Sequence, residues 1–126
     1  MAERHGVNHS ISVQDAASGA DLILICASTE AVPGLIEEVR LHTKSDAIIS
    51  EIASFKSKTV PALKRSGGPR PLSIHPMFGP DIATFQGETI AVVTVNDSVK
   101  EMEIARSLFP ESKLIPLDAE AHDRCM

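Results

Sequence analysis

The chain has 126 residues, enough for one compact domain and too few for two ordinary ones. Its formal net charge is −5 with no long basic run, and its aromatic residues are four phenylalanines, so neither a cationic nucleic-acid surface nor a base-stacking platform is expected. An acidic balance mildly repels anionic substrates unless local cations offset it. Cys26 and Cys125 lie far apart with no metal-ligand spacing around them, which reads as two reduced thiols in a cytoplasmic protein. The opening "MAERHGVNHS" is polar and unlike a signal peptide, and the apolar runs are too short to span a membrane.

"SVQD" (Ser12–Asp15) reads as a capping box opening a short helix. "DLILICA" (Asp21–Ala27) is a near-continuous apolar run that suits a strand buried on both faces. Ser28 or Thr29 could cap the helix that follows, whose apolar stripe is Val32, Leu35, Ile36 and Val39. "DAIIS" (Asp46–Ser50) is a second strand run, and Ser57 is a plausible cap for a helix carrying Val60 and Leu63. Pro61 is tolerable in that helix only near its first turn. "RSGGPRP" (Arg65–Pro71) is a turn cluster leading into the third run, "PLSIH" (Pro71–His75). "TIAVVTV" (Thr89–Val95) is the fourth run. A second capping box, "SVKE" (Ser98–Glu101), opens a helix with Met102, Ala105 and Leu108 on one face. "KLIPL" (Lys113–Leu117) is a fifth run that Pro116 demotes to a strand end or an edge. Asp118 could cap a last helix running to Met126.

Strands alternating with helices predict βαβ crossovers and an α/β fold with a mostly parallel sheet. A dinucleotide fold also needs a Gly-rich turn whose amides meet the pyrophosphate. The seven glycines stand at 6, 19, 34, 67, 68, 79 and 87 and form no G-x-G-x-x-G. On these grounds alone no nucleotide is named.

Ligands of open α/β sheets gather at the carboxyl ends of strands, and several polar residues stand there. His75 ends the third run inside "SIHPMFGPDIATFQGE" (Ser73–Glu88). Pro76 and Pro80 stiffen its loop, which suits either a structural histidine or a pre-organised proton acceptor. Ser54 and Lys56, in "EIASFKS", follow the second run. Serine before a helix is most often a cap, and lysine is most often solvated. "ASTEAV" (Ala27–Val32) either caps a helix or lies along a cofactor. His122 and Asp123 begin a helix whose bland reading is a solvated face. A Ser–His–Asp hydrolase lacks support, because no G-x-S-x-G elbow is present.

Four segments in order resemble one family. "PLSIHPMFGPDIATFQGETIAVV" is similar to the signature of prephenate dehydrogenases, and "ADLILICASTEAV" to that family's strand and loop beside the cofactor. "IISEIASFKS" resembles its "D-x-x-S-x-K" segment, and "LDAEAHDRCM" its "E-H-D-x-x-M" segment. The resemblance implies oxidative decarboxylation of prephenate to 4-hydroxyphenylpyruvate with NAD or NADP, in tyrosine biosynthesis, by a homodimer. It implies that His75 accepts the ring-hydroxyl proton and that Ser54 bonds the same hydroxyl or orients the histidine. Ser28 and Thr29 approach the nicotinamide, Lys56 supports the loop, and His122 lies in the substrate region, while Asp123 belongs to helix packing.

The same resemblance implies a partial Rossmann-type sheet lacking its first strands. Residues 1–117 correspond to an incomplete NAD(P)-binding domain and 118–126 to the first turns of a helical dimerisation domain. The Gly-rich loop and the substrate-clamping arginine of the family are not in the chain. One edge of "DLILICA" is therefore expected to be exposed, and this chain alone to be a poorly active fragment. Arogenate dehydrogenase and a non-catalytic interaction module are the alternatives.

Overall fold

The five apolar runs pair into one sheet. In a computed structural model, which describes residues 6, 8–64 and 68–126, they form β1 (Leu22–Ile25), β2 (Ile48–Glu51), β3 (Arg70–Pro76), β4 (Thr89–Val93) and β5 (Lys113–Leu117). Their spatial order is the chain order. Part of the expected turn cluster, residues 65–67, and most of the opening "MAERHGV" lie outside the described residues. Three of the four pairings are parallel, and β3–β4 is antiparallel. The connection explains the exception. A parallel return needs a crossover, usually a helix, and the described segment between β3 and β4 contains none.

Five helices cover the sheet: α1 (Val13–Ala17), α2 (Val32–Arg40), α3 (Thr59–Leu63), α4 (Ser98–Leu108) and α5 (Ala119–Cys125). One face buries Val32, Ile36, Val39, Val60 and Leu63 of α2 and α3 against Ile25, Ile49 and Val93. The other packs Met102 and Ala105 of α4 against Leu72, Ile74, Ile90 and Val92. The alternation along β4 thus feeds both apolar layers, with Val93 on one side and Ile90 and Val92 on the other, whereas β3 gives Leu72 and Ile74 to the α4 side and turns Ser73 and His75 the other way. Each fully buried side chain of this kind contributes about 1.5–3 kcal/mol.

Helix starts agree with the sequence in two places and shift in three. Ser12 accepts from the Asp15 amide and Asp118 from the Ala121 amide, as expected. At α2 neither Ser28 nor Thr29 caps; the N-cap is Ala31, and the Ser28 carbonyl takes the amides of Ala31 and Val32 in a preceding turn. At α3 the N-cap is Lys58 rather than Ser57, which puts Pro61 in the first turn, where its missing N–H costs nothing. At α4 the N-cap is Asp97, not Ser98. Glu101 is buried and reaches back to the amides of Val95, Asn96 and Asp97 at 2.7, 2.8 and 2.6 Å. One carboxylate therefore satisfies the whole β4–α4 turn.

Both predicted edges are edges. β5 carries Pro116 at one side of the sheet, and among the described residues β1 has β2 as its only neighbour on the other. β1 is not buried on both faces: Leu22 and Leu24 are 40% and 47% exposed. The physical reason is coverage, since α4 packs on β3, β4 and β5 and stops short of β1. Among the described residues no helix is long and apolar enough to cross a membrane.

Glu101→Ala is expected to lower the unfolding free energy by about 3 kcal/mol, because it orphans three amides at once. Glu101→Gln keeps one acceptor oxygen and should cost clearly less. Urea unfolding of the two variants beside the parent checks the order.

Candidate functional site

The parallel register aligns Ile25, Glu51 and Ser73 in one row. Residues 26–31 and 52–58 therefore leave the sheet by one edge, the carboxyl edge of β1 and β2, beside residues 74–76, where β3 runs on against β4. Every candidate except His122 stands on these three segments, and α5 brings His122 to them.

His75 is half-buried near the end of β3. Its Nδ1 lies 2.8 Å from Nε2 of His122. His122 is fully buried, so its helix face is not a solvated one. Its Nδ1 lies 2.9 Å from Oδ1 of Asp123. That carboxylate is pinned in turn: Oδ1 accepts the Lys56 amide at 2.8 Å and Oδ2 the Ser57 amide at 2.9 Å. Asp123, assigned to helix packing by the sequence, in fact ties α5 to the segment after β2.

Lys56 departs furthest from its ordinary behaviour. Its side chain is 0% exposed. Nζ donates to Glu51 Oε1 at 2.9 Å and to the Ile74 carbonyl at 2.8 Å. Glu51 also accepts the Ala53 amide at 2.8 Å and the hydroxyls of Ser73 and Thr59. Ser73 stands directly opposite Glu51 in the β2–β3 register, which explains its bond. The ammonium thus anchors the carbonyl immediately before His75. The signal for this pair was present in "EIASFK", an acid and a lysine five apart around a loop. Asp123 had only its adjacency to His122 to mark it.

Burial lowers the pKa of both cationic candidates. For Lys56 desolvation dominates, and the charges of Glu51 and Asp123 and the Glu51 bond partly oppose it. For His75 desolvation is again the largest cause, reinforced by His122 and Lys56 and opposed by Glu51. Asp123 moves below the carboxylate range: burial opposes ionisation, but the bonds from His122 and the two amides outweigh it.

Ser54 is exposed on the same segment as Lys56, Ser28 is exposed after β1, and Thr29 is half-buried beside it. Among the described residues no hydrogen bond joins the side chains of these three to the histidine pair. The partner of the His75 ring is His122. For a dinucleotide, the residues present fit one part only. Exposed Ser28 at the carboxyl edge suits a nicotinamide, and no Gly-rich turn is present for a pyrophosphate. Among the described residues no group of three or more His, Cys, Asp or Glu is placed to hold a metal ion.

The family model described as "Prephenate dehydrogenase, nucleotide-binding domain" matches residues 1–105. No curated protein matches. Solved structures match with high fold similarity and low identity. Prephenate dehydrogenase from Aquifex aeolicus superposes with a TM-score of 0.81 at 16% identity, over 98% of this chain and 50% of that one. The same organism's enzyme in complex with hydroxyphenyl propionate and NAD+ gives 0.81 at 14% identity, covering 98% and 48%. Synechocystis arogenate dehydrogenase gives 0.78 at 20% identity, covering 98% and 48%. The chain spans about half the length of these relatives. The likeness supports a Rossmann-like α/β fold.

Removing Lys56 alone leaves Glu51 buried without its cation. Lys56→Met is expected to cost about 3–5 kcal/mol, and the double change Glu51→Gln with Lys56→Met to recover most of it. Denaturant unfolding of the single and double variants reads both numbers. The pH dependence has a defined sign. His75 has a lowered pKa in the folded chain, so the unfolded chain binds protons first as pH falls below about 6.5. Stability is then full above that value and lost as pH falls toward the folded pKa. Asp123, also lowered, adds a second loss at more acid pH, below the unfolded carboxylate range. His75→Gln should flatten the first of these two steps in a thermal-melt series and leave the second.

Proposed function

The chain belongs to the prephenate dehydrogenase family, through the nucleotide-binding domain matched over residues 1–105, and from that premise we propose that it carries the proton-accepting part of an NAD(P)-dependent oxidative decarboxylation of prephenate. The observation that carries the reading is the half-buried His75 at the carboxyl edge, hydrogen-bonded through His122 to Asp123.

In this reading His75 accepts the proton of the ring hydroxyl. A neutral imidazole suits that task at neutral pH, and burial favours the neutral form here. Ser54, exposed on the neighbouring segment, bonds the same hydroxyl. Lys56 takes no direct part. It holds the Ile74 carbonyl and so fixes the strand end from which His75 projects. Ser28 and Thr29 face the nicotinamide. NAD or NADP, when bound, supplies the hydride acceptor. The hydroxyl-bearing ring carbon gives up its hydride, the ring carboxylate leaves as carbon dioxide, and its bonding pair makes the ring aromatic. His75 then returns its proton to the phenolic oxygen, so the step neither gains nor loses a proton overall.

Residues 118–126 begin the helical domain in this reading, and the complete homodimeric enzyme works in the cytoplasm. The Synechocystis relative is an arogenate dehydrogenase, which supports arogenate as the second substrate reading. Because the chain has no Gly-rich turn, the 126-residue chain alone should bind NAD poorly and turn over no prephenate. Prephenate-dependent NAD reduction by the purified chain would overturn that expectation.

The reading is tested in a protein that joins this segment to a Gly-rich turn and a helical domain. His75→Asn should lower kcat by about 10²–10⁴-fold and leave cofactor affinity nearly unchanged. A loss below about threefold would remove His75 as proton acceptor. Turnover of prephenate beside arogenate decides the substrate.

A further inference from the structure

We infer that His122 and Asp123 are positioning residues that fix which ring nitrogen of His75 carries its proton, leaving Nε2 bare to accept the substrate's. The inference rests on the reading of His75 as the proton acceptor and adds how its ring is held ready.

The order of the bonds starts at Asp123. An ionised carboxylate can only accept hydrogen bonds. The His122 nitrogen 2.9 Å from it, Nδ1, is therefore the one bearing a proton. In a neutral imidazole the other nitrogen has a lone pair. That lone pair, on His122 Nε2, faces His75 Nδ1 at 2.8 Å. With His122 neutral, His75 donates there, so its Nδ1 is protonated. A neutral ring has one N–H, and Nε2 of His75 is left as the acceptor. The reverse order would set an N–H of His122 against Nδ1 of His75 and place the proton on Nε2, where it blocks the chemistry.

The relay is stiff at both ends. His122 is fully buried on α5. Asp123 accepts two successive amides, Lys56 and Ser57, through different oxygens, so its carboxylate cannot turn without orphaning one. The same segment holds the other end of the site, since Lys56 Nζ is bonded to the carbonyl before His75. One short stretch of chain therefore positions the histidine from two directions. When Nε2 takes the substrate proton, the His75 imidazolium keeps its Nδ1–H bond to His122. The Asp123 carboxylate at the far end is the counter-charge. No second proton has to move, and the first returns from Nε2 to the product oxygen.

Nitrogen-15 labelling of histidine in the 126-residue chain tests this directly, through correlation spectra of the ring nitrogens at neutral pH. The expected result is a protonated Nδ1 and a bare Nε2 on both His75 and His122. Asp123→Ala should shift the His75 nitrogens toward values averaged over two tautomers, with the backbone amide spectrum still dispersed. Should that variant lose its fold, His122→Phe keeps the ring volume without either nitrogen and should release His75 in the same way. A protonated Nε2 on His75 in the parent chain would overturn the inference. So would an unchanged His75 tautomer in either folded variant. These readouts need neither substrate nor cofactor, so they can fail while the dehydrogenase reading stands, and the converse also holds.

Discussion

A lysine ammonium with no exposure to water is the constraint around which the carboxyl edge is built. Bringing each such ion out of water costs several kcal/mol, so it persists only where its partners are well placed. Lys56 has two partners at 2.9 and 2.8 Å, a carboxylate on the end of β2 and a carbonyl on β3. The carboxylate in turn collects Ala53, Thr59 and Ser73. A single charge pair thereby joins two strands, the segment after β2 and the start of α3. Its position matters more than its net stability. The anchored carbonyl belongs to Ile74, so any slackening there is passed to His75 one residue later.

The second anchor works on the same segment from the other side. Asp123 takes the backbone amides of Lys56 and Ser57, while the Lys56 side chain reaches away into the sheet. The segment after β2 is thus held by its own amides to α5 and by its side chain to β3. Ser54 lies within it yet remains exposed. The proposed role of Ser54 asks for the same arrangement, a fixed backbone and a free side chain.

Much of this was legible in the sequence, and the failures have physical causes. The five strands read well because continuous apolar runs bounded by turn residues leave little choice. Pro116 marked the edge strand because it cannot donate to a second neighbour. The antiparallel β3–β4 pair was missed because alternation of strands and helices suggests crossovers, and one connection simply lacks its helix. The cap errors at Ser57 and Ser98 are shifts of one residue, to Lys58 and Asp97. At α4 Asp97 and Ser98 compete as equals for that position, and only the geometry chooses, while at α3 the cap Lys58 makes no side-chain bond at all. The burial of Lys56 and the amide bonds of Asp123 were not legible for a deeper reason. Lysine and aspartate are solvated unless a specific partner is near, and those partners lie 5 and 66–67 residues away. Periodicity reports which face of an element is apolar, not which remote group will meet a charge.

Rigidity is also divided unevenly across the site. The histidine side stands on β2, β3 and α5, where Glu51, Lys56, Ser73, His122 and Asp123 are paired within the chain. The 26–31 loop stands on β1, whose one neighbour among the described residues is β2 and whose Leu22 and Leu24 remain half-exposed. Beside β1 runs an open apolar groove of about 390 Å³ whose lining includes Val13, Ala16 and Leu35. A strand paired on one side opens at lower free energy than a central one. Among the described residues, then, Ser28 and Thr29 follow a strand with one paired edge and His75 lies on a strand with two. In the proposed reaction the two halves would then differ in preparation: His75 is set by bonds inside this chain, and the 26–31 loop by a strand whose second edge these residues do not pair. An unpaired apolar edge is itself a template for another strand. Whatever occupies that edge would order the 26–31 loop without having to touch the histidine relay.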